Sequence, residues 1–277
     1  MNPKKNKLWI EMKEMVRKHY QKINFERLSD EKFVENNDEL ITIGEEIVQI
    51  LKKNIKDDKI FFADICGAPG NYSKLIFKNF TATGLGISLP PEKGGVEFEM
   101  DDFDKYKIFY RDILEKDYDM DIPKKLNLGI ASCVSYQIKN TNAYQLNLKL
   151  ILTSLLLLIN NLESKGNLVI NLTIKNINFA FNIVFILGKL FETSSIWKSK
   201  KVWPDKNTFY FFGFGFKSNP KYIQKIKELL LVLEDNNFMK NIYFRRLLMN
   251  KSNFKIINNM MNNIYKIKID YFKQFNK

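Results

Sequence analysis

The segment from Asp64 to Ser73, DICGAPGNYS, combines residue types that bind a small charged ligand at the end of a strand. It follows an apolar run and contains Gly67 and Gly70, which let the backbone approach a ligand closely. A helix that begins directly after such a turn offers free N–H groups, and Asp64 offers a carboxylate for a ligand ammonium. Pro69 removes one donor N–H, so the turn suits a phosphate chain less well than a phosphate-binding loop does. A turn that binds no ligand is the alternative interpretation.

The elements that position this turn alternate along the chain between strands and helices. Short apolar runs predict strands at residues 59–66, 83–89, 107–112, 126–133, 166–172 and 208–216. Helical spacing of apolar residues predicts helices at residues 6–22, 38–54, 72–80, 143–162 and 179–191. Because strands that alternate with helices form parallel crossovers, we expect an α/β fold with a mostly parallel sheet flanked by helices. Ligands bind such sheets at the carboxyl ends of the strands, where the 64–73 turn lies.

The composition, 277 residues with 45% hydrophobic and 27% charged, indicates a globular chain and excludes the disordered and collagen-like classes. The single histidine, His19, argues against His-rich metal sites and Ser-His-Asp catalysis, and no metal site is expected. Two cysteines, Cys66 and Cys133, are too few for a four-cysteine zinc site or a disulfide framework. We interpret both as unpaired, buried small hydrophobic residues.

Basic residues are in excess, with 44 Lys and Arg against 31 Asp and Glu, and give a formal net charge of +13. Such a charge favours nucleic acid, acidic membranes or acidic proteins as partners. Residues 217–277 hold 13 of the basic and 4 of the acidic residues, at helical spacing, and form a basic helical appendage. Three interpretations of these helices are open: they wrap RNA, bind a partner subunit, or only provide a soluble surface.

No segment has the pattern of an export signal or of a membrane span. Residues 1–10 are basic but lead into a charged stretch. The longest apolar run, residues 150–159, is shorter than the roughly 20 residues that cross a bilayer. Together with unpaired cysteines, this pattern predicts an intracellular, cytoplasmic protein in a reducing compartment, without a membrane partner.

The 64–73 turn is more specific as a whole string, D-x-C-x-A-P-G-x-aromatic-S. It resembles the S-adenosylmethionine (SAM) loop of FtsJ-like RNA 2′-O-methyltransferases, whose usual form is D-L-C-A-A-P-G-G-aromatic-S. The resemblance extends in element order over residues 40–217, where the strings at 84–90 and 110–113 resemble the family's second and third strands. Tyr210 and the string that ends at Lys217 resemble its closing strand. The resemblance implies a Rossmann-like SAM-dependent methyltransferase fold, SAM as cofactor and RNA as partner.

The resemblance also implies which residues hold the cofactor. Five residues of the turn would face the methionine end of SAM, namely Asp64, Gly67, Ala68, Pro69 and Gly70. Asn71 and Tyr72 continue the same loop. Asp112 would contact the adenine amino group, and Ser88 stands where an acid often holds the ribose hydroxyls. A serine hydrogen-bonds a ribose more weakly than a carboxylate does.

The resemblance fails at the residues that would perform catalysis. FtsJ-like enzymes use a Lys-Asp-Lys-Glu tetrad, whose central lysine deprotonates or orients the ribose 2′-OH, a poor nucleophile. Residues 41–46 contain no lysine for the first slot, and the other three slots hold Ser132, Asn171 and Thr208. Lys175, four residues past Asn171, would lie about 13 Å further along a strand, and we interpret it as a solvated loop lysine. Neutral groups make poor bases, so we expect lost or relocated catalysis.

These observations predict an N-terminal helical segment at residues 1–37, a SAM-methyltransferase domain at 38–217 and a basic helical extension at 218–277. We expect a SAM-binding, catalytically impaired homologue that serves as a regulatory or RNA-binding subunit in RNA capping or modification. Two alternatives stay open: an active RNA 2′-O-methyltransferase with other catalytic residues, and a non-enzymatic RNA-binding module with an empty cofactor pocket. Trp197 and Trp203, in a Lys-rich segment, either stack on bases or pack under a loop.

Overall fold

The computed structural model describes residues 3–22, 37–57, 59–100, 104–115, 122, 125–133, 143–234 and 251–274. Within them, the strands are β1 (Lys59–Ile65), β2 (Thr81–Ser88), β3 (Tyr106–Tyr110), β4 (Leu126–Ala131), β5 (Leu162–Thr173), β6 (Phe191–Trp197) and β7 (Thr208–Phe216). The α-helices are α1 (Lys7–Lys22), α2 (Asn37–Asn54), α3 (Asn71–Asn79), α4 (Ala143–Asn161), α5 (Ile177–Gly188), α6 (Pro220–Glu234) and α7 (Lys251–Lys273).

These strands form one sheet in the order β3-β2-β1-β4-β5-β7-β6. The pairs from β3 to β5 are parallel, and β7 runs antiparallel to both β5 and β6. Because the chain moves outward from β1 to β3 and then returns to the other side of β1, the strand order reverses between β1 and β4. The carboxyl ends on either side of such a reversal bound the crevice that receives a ligand. The predicted α/β fold with a mostly parallel sheet is confirmed.

The central strands are buried on both faces, which explains their continuous apolar sequences. One face packs against α2 and α3, and the other packs against α4 and α5. Almost every position of α5 is buried, because α6 and α7 also contact this helix. A helix covered on several sides needs no polar face, and α5 is accordingly apolar all round.

The terminal helices α1 and α7 pack on each other and on the side of the sheet that α5 covers. The Asn6 side chain donates from Nδ2 to Oδ1 of Asn258 at 2.6 Å and to Oδ1 of Asn262 at 2.8 Å. Trp9 packs on Tyr265 with ring centroids 5.8 Å apart. Both helices therefore join the same apolar core as the sheet.

Of the described strands, β6 alone is missing from the sequence prediction. Its residues Phe191–Trp197, FETSSIW, are largely polar, and all but the buried Phe191 are partly or fully exposed, because β6 lies at the edge of the sheet beside β7. The helix predicted at 179–191 was too long at its carboxyl end, since α5 ends at Gly188. β5 begins at Leu162 rather than at residue 166.

No helix within the described ranges is long and apolar enough to span a bilayer. The same ranges hold no group of three or more His, Cys, Asp or Glu side chains that could bind a metal ion.

Candidate cofactor site

The turn after β1 is held by backbone geometry that its glycines make accessible. Gly70 has a φ of 106° and directly precedes α3, and its N–H donates to the carbonyl of Gly67 at 2.7 Å. A side chain at Gly70 would place its Cβ 2.7 Å from Sδ of Met100, so both the backbone angle and the space exclude a larger residue. The peptide bond between Ala68 and Pro69 is cis.

A cavity of about 410 Å³ opens at the carboxyl ends of β1, β2, β3 and β4. This volume lies in the range of about 300–1,000 Å³ that small-molecule sites usually have. Eight of the residues singled out from the sequence line it: Gly67, Ala68, Pro69, Asn71, Tyr72, Ser88, Asp112 and Ser132. The structure thus brings both halves of the predicted cofactor site, which are distant in sequence, to one crevice.

Asp64, predicted to face the cofactor, is not among the residues that line this cavity and is 0% exposed. Its Oδ2 accepts a hydrogen bond from Oγ of Ser73 at 2.8 Å, while Oδ1 has no partner among the described residues. Burial raises the pKa of this carboxyl to about 7. A Cβ built on Gly67 would lie 2.6 Å from Oδ2 of Asp64, so the carboxylate packs against Gly67, which lines the cavity, and leaves no room for a side chain there.

Asp112 and Ser88 lie at the opposite side of the cavity, after β3 and at the end of β2. Asp112 accepts a hydrogen bond at Oδ1 from the N–H of Leu114 at 2.9 Å, so it caps a turn while it also lines the cavity. The carbonyl of Ser88 accepts from the N–H of Arg111 at 2.7 Å, which ties the end of β2 to the residue after β3. These bonds fix two polar residues on the side where the resemblance expects the adenosine.

Ser132, which occupies one of the tetrad slots, lies among hydroxyl groups. Its side chain hydrogen-bonds to Tyr72 and Tyr210, whose own hydroxyl oxygens lie 2.8 Å apart. Burial is the main cause that raises the pKa of both tyrosines, so both hydroxyls stay protonated near neutral pH. Ser132 therefore meets two neutral hydroxyls, and this cluster holds no group that takes up a proton.

Asn171 and Thr208, which occupy the other slots, do not line the cavity. Asn171 is buried, and its Oδ1 has no hydrogen-bond partner within the described part of the chain. It lies opposite Tyr210 in the β5–β7 pair, and Thr208 lies opposite Thr173. Lys175, the lysine considered as a relocated base, is exposed.

Lys198 is a buried lysine that sequence reasoning missed. It is 4% exposed, and burial lowers its pKa to about 7. Its Nζ donates to the carbonyls of Trp203, Lys206 and Thr208 at 2.8, 3.0 and 3.0 Å. Nζ of Lys268, on α7, donates to the same Lys206 carbonyl at 3.0 Å. Both lysines therefore hold the loop between β6 and β7.

The two tryptophans of this Lys-rich segment are used for packing. Trp197 packs on Tyr210 with ring centroids 5.9 Å apart. Nε1 of Trp203 donates to Oε2 of Glu39 on α2 at 2.5 Å. The packing interpretation of these residues is thus the one the structure favours.

Cys66 and Cys133 form a disulfide with Cα atoms 5.0 Å apart, so the expectation of two unpaired hydrophobic cysteines is wrong. The pairing arises because β1 and β4 are adjacent and parallel, with Ile65 opposite Ala131. Cys66 lines the cavity and is partly exposed, whereas Cys133 is 4% exposed. The argument for a reducing compartment from unpaired cysteines therefore loses its basis.

Comparison with known proteins assigns the family. The profile described as FtsJ-like methyltransferase matches residues 44–216, which is more than half of the chain. The chain therefore belongs to the FtsJ-like methyltransferase family; its fold is the Rossmann-like methyltransferase fold, and its cofactor is SAM. No match is found among curated proteins.

Solved structures with a similar fold include a protein described as a ribosomal RNA methyltransferase from Plasmodium falciparum. It is 16% identical, with 64% of this chain and 97% of that chain covered and a TM-score of 0.48. Human methyltransferase-like protein 13 in complex with SAH is 12% identical, with 70% of this chain and 89% of that chain covered and a TM-score of 0.40. An rRNA methylase from Streptococcus thermophilus is 11% identical, with 62% of this chain and 95% of that chain covered and a TM-score of 0.42. Since these TM-scores are below 0.5, the assignment rests on the family profile.

Proposed function

We propose that this FtsJ-like methyltransferase binds SAM and RNA, does not transfer the methyl group unaided, and serves as a regulatory or RNA-binding subunit in RNA capping or modification. One observation carries the proposal. The buried carboxylate of Asp64, beneath the cofactor turn, keeps one oxygen without a partner among the described residues, whereas Ser132 on the cavity wall lies among hydroxyl groups that hydrogen-bond to one another.

The residues around the cavity fit the cofactor. Asp64 is a buried acid whose Oδ1 lacks a partner among the described residues, and the ammonium of the methionine end of SAM would supply one. Asp112 would accept from the adenine amino group, and Ser88 would hydrogen-bond the ribose. When bound, SAM supplies an electrophilic methyl group on its sulfonium.

Apart from Asp64 and Asp112, which we assign to the cofactor, the described residues around the cavity offer no general base for a ribose hydroxyl. Ser132 and Tyr72 are neutral and hydrogen-bonded to each other. Lys93, the lysine among the described lining residues, donates to Oε1 of Glu115 at 2.8 Å, and this bond raises its pKa. Lys198 has a depressed pKa, but its ammonium already donates to three carbonyls. Neither Lys93, which is paired with Glu115, nor Lys198, whose ammonium donates to three carbonyls, is therefore able to act as the missing base.

RNA would bind the loop between β6 and β7. β6 is parallel to β1, so this loop leaves the sheet at the same edge as the cofactor turn. Lys200, Lys201 and Lys206 are exposed on it, and Lys198 and Lys268 anchor its backbone. Exposed lysines on an anchored loop provide phosphate contacts at a fixed place beside the cavity.

Calorimetry with SAM and a methyl-transfer assay test this proposal together. We expect micromolar binding of SAM and no transfer of label from SAM to capped or uncapped RNA by the purified chain. Label transfer that disappears in an Asp64→Asn variant would establish the active alternative instead. Absence of SAM binding would establish the RNA-binding module with an empty pocket.

The RNA arm is tested by the salt dependence of binding. Affinity for single-stranded RNA should fall steeply with salt, with a slope of about −0.7 in log–log units for each phosphate contact. A flat dependence would remove the phosphate-contact surface from the proposal and leave the cofactor part untouched.

A further inference from the structure

The disulfide between Cys66 and Cys133 joins the two elements that bound the cofactor cavity. Cys66 directly follows β1 and opens the cofactor turn, while Cys133 directly follows Ser132 after β4. The bridge therefore spans the point at which the strand order reverses. Any change in the separation of these two residues moves the cofactor turn relative to the hydroxyl cluster.

Only one of the two sulfur atoms belongs to a residue that a reagent can reach. Cys66 lines the cavity and is partly exposed, whereas Cys133 is buried in the core. A thiolate that enters the cavity therefore meets Cys66 first. Accessibility of one sulfur is a main determinant of the rate of thiol–disulfide exchange.

Cys66 also has a backbone conformation that residues with a side chain rarely adopt. Its φ is 59°, in the left-handed region, where the Cβ of an L-residue is crowded. The N–H of Cys66 donates to the carbonyl of Ile87 at 2.7 Å, and the disulfide ties its side chain to the end of β4. The bridge is thus one of two restraints that hold the first residue of the cofactor turn in place.

We propose that Cys66–Cys133 is a redox modification site for low-molecular-weight thiols, and that its reduction weakens SAM binding. This inference rests on the proposed SAM site. A thiolate RS⁻ attacks the sulfur of Cys66, the S–S bond breaks, and the electron pair passes to the sulfur of Cys133, which takes up a proton. A second thiolate then attacks the R-bearing sulfur of this mixed disulfide, and the sulfur of Cys66 leaves with the electron pair and takes up a proton. The products are RSSR and two cysteine thiols.

Reduction changes the cavity in two ways: the sulfur atoms need more room, and the cofactor turn loses a covalent restraint. Two thiols occupy more space than the disulfide between the same residues, so the turn and the end of β4 must separate. Ser132 donates its N–H to the carbonyl of Ile65 at 3.3 Å, a bond between the same two ends that this separation strains. A turn that has lost its restraint must be ordered again when the cofactor binds, and the ordering lowers affinity.

Linkage gives the inference a second, independent consequence. If SAM binds the oxidised form about tenfold more tightly, the cofactor must stabilise the disulfide by the same factor. For a two-electron couple, a tenfold factor corresponds to about 30 mV, so saturating SAM should make the midpoint potential about 30 mV more negative.

The experiment uses the full chain in its oxidised form and after reduction with dithiothreitol. Calorimetry should give an affinity for SAM about tenfold lower in the reduced form. Titration in graded dithiothreitol buffers, with and without SAM, should show the shift in midpoint potential. A Cys133→Ala variant should bind SAM as the reduced chain does and should not respond to dithiothreitol.

The outcomes separate this inference from the cofactor site itself. Equal SAM affinity in both redox forms, or an unshifted midpoint, overturns the redox inference and leaves the cofactor proposal standing. Absence of SAM binding by both forms overturns the cofactor proposal and this inference with it. Two free thiols in the non-reduced chain, measured by mass spectrometry after alkylation, overturn the redox site alone. The redox titration needs no variant, so a Cys133→Ala chain that does not fold leaves the test intact.

Discussion

The polar groups on the two sides of the cavity differ in how completely they are hydrogen-bonded. On the cofactor side, Asp64 is buried with one carboxylate oxygen that has no partner among the described residues. On the catalytic side, Ser132 is bonded to Tyr72 and Tyr210. A buried carboxylate with one unpartnered oxygen destabilises the free protein, and a bound cation would relieve that cost, whereas a hydrogen-bonded hydroxyl cluster needs no ligand. The contrast is the basis of the proposal that the chain receives the cofactor but does not activate a ribose hydroxyl by itself.

Replacement of Asp64 by Asn should have the largest effect on the affinity for SAM. Loss of a charge-assisted hydrogen bond at a buried site costs about 2–3 kcal/mol, so SAM affinity should fall roughly 30- to 150-fold. Calorimetry measures the change. The exposed Asp57, beyond the end of α2, provides a charge-matched control, and Asp57→Asn should bind SAM as the unmodified chain does. Equal affinities of the two variants would remove Asp64 from the site.

The same variant should not be less stable than the unmodified chain at pH 8. Burial raises the folded pKa of Asp64 from 3.8 to about 7, so this group's contribution to stability declines as pH rises from about 4 to about 7. Above that range the folded protein holds an ionised, buried carboxylate, which asparagine avoids. Thermal melting should therefore give an equal or higher Tm for Asp64→Asn, and a lower Tm would mean that the affinity loss reflects misfolding.

The affinity for SAM should depend on pH through the same carboxyl. An ammonium ligand pairs with the ionised form, so below pH 7 the free protein must release a proton to bind. Affinity should then fall about fivefold between pH 7 and pH 6 and rise only about 1.5-fold from pH 7 to 7.5. Calorimetry at pH 6.5 in buffers of different ionisation enthalpy should detect this proton release. A pH-independent affinity would contradict pairing with Asp64.

Substitution of the three exposed lysines of the β6–β7 loop should weaken RNA binding more modestly. A Lys200→Ala/Lys201→Ala/Lys206→Ala variant should lose about fivefold in affinity at low salt, with a salt slope about 2 units shallower. The matched control is a triple alanine variant of the exposed Lys52, Lys53 and Lys56, which lie at the opposite edge of the sheet. Equal losses in both variants would indicate that total charge matters and position does not.

The smallest effects are expected on the catalytic side. Ser132→Ala and Asn171→Ala should each change SAM affinity by less than about threefold, because both side chains are neutral and would form no charged contact with the cofactor. Methyl transfer should remain at background in both variants. A measurable activity in the unmodified chain that either substitution abolishes would show that these residues replace the missing tetrad.

The strands that carry the cofactor turn were predictable because each is a continuous apolar run that ends at a distinctive turn. Burial on both faces of a parallel sheet produces that pattern, and β1 and β4 show it most clearly. β6 could not be found in the same way, since an edge strand keeps polar residues and gains its order from pairing with β7.

The disulfide and the buried lysine depend on contacts that the sequence shows only indirectly. Cys66 and Cys133 are 67 residues apart and meet because β4 lies beside β1. A signal was present, since the two cysteines are the last residues of predicted strands whose ends a reversal of strand order brings together. Lys198 gave no such signal, because it stands among other lysines and is buried only by the carbonyls that converge on it.

The carbonyl that Lys198 and Lys268 share has a practical consequence for anyone who trims the chain. The family match stops at residue 216, yet α7, some fifty residues later, supplies a cation that braces the loop beside the cavity. An expression fragment cut at that boundary would lose this brace and leave the lysine's former acceptors to water. Work on a fragment that ends at residue 216 would therefore describe a looser β6–β7 loop than the whole chain possesses.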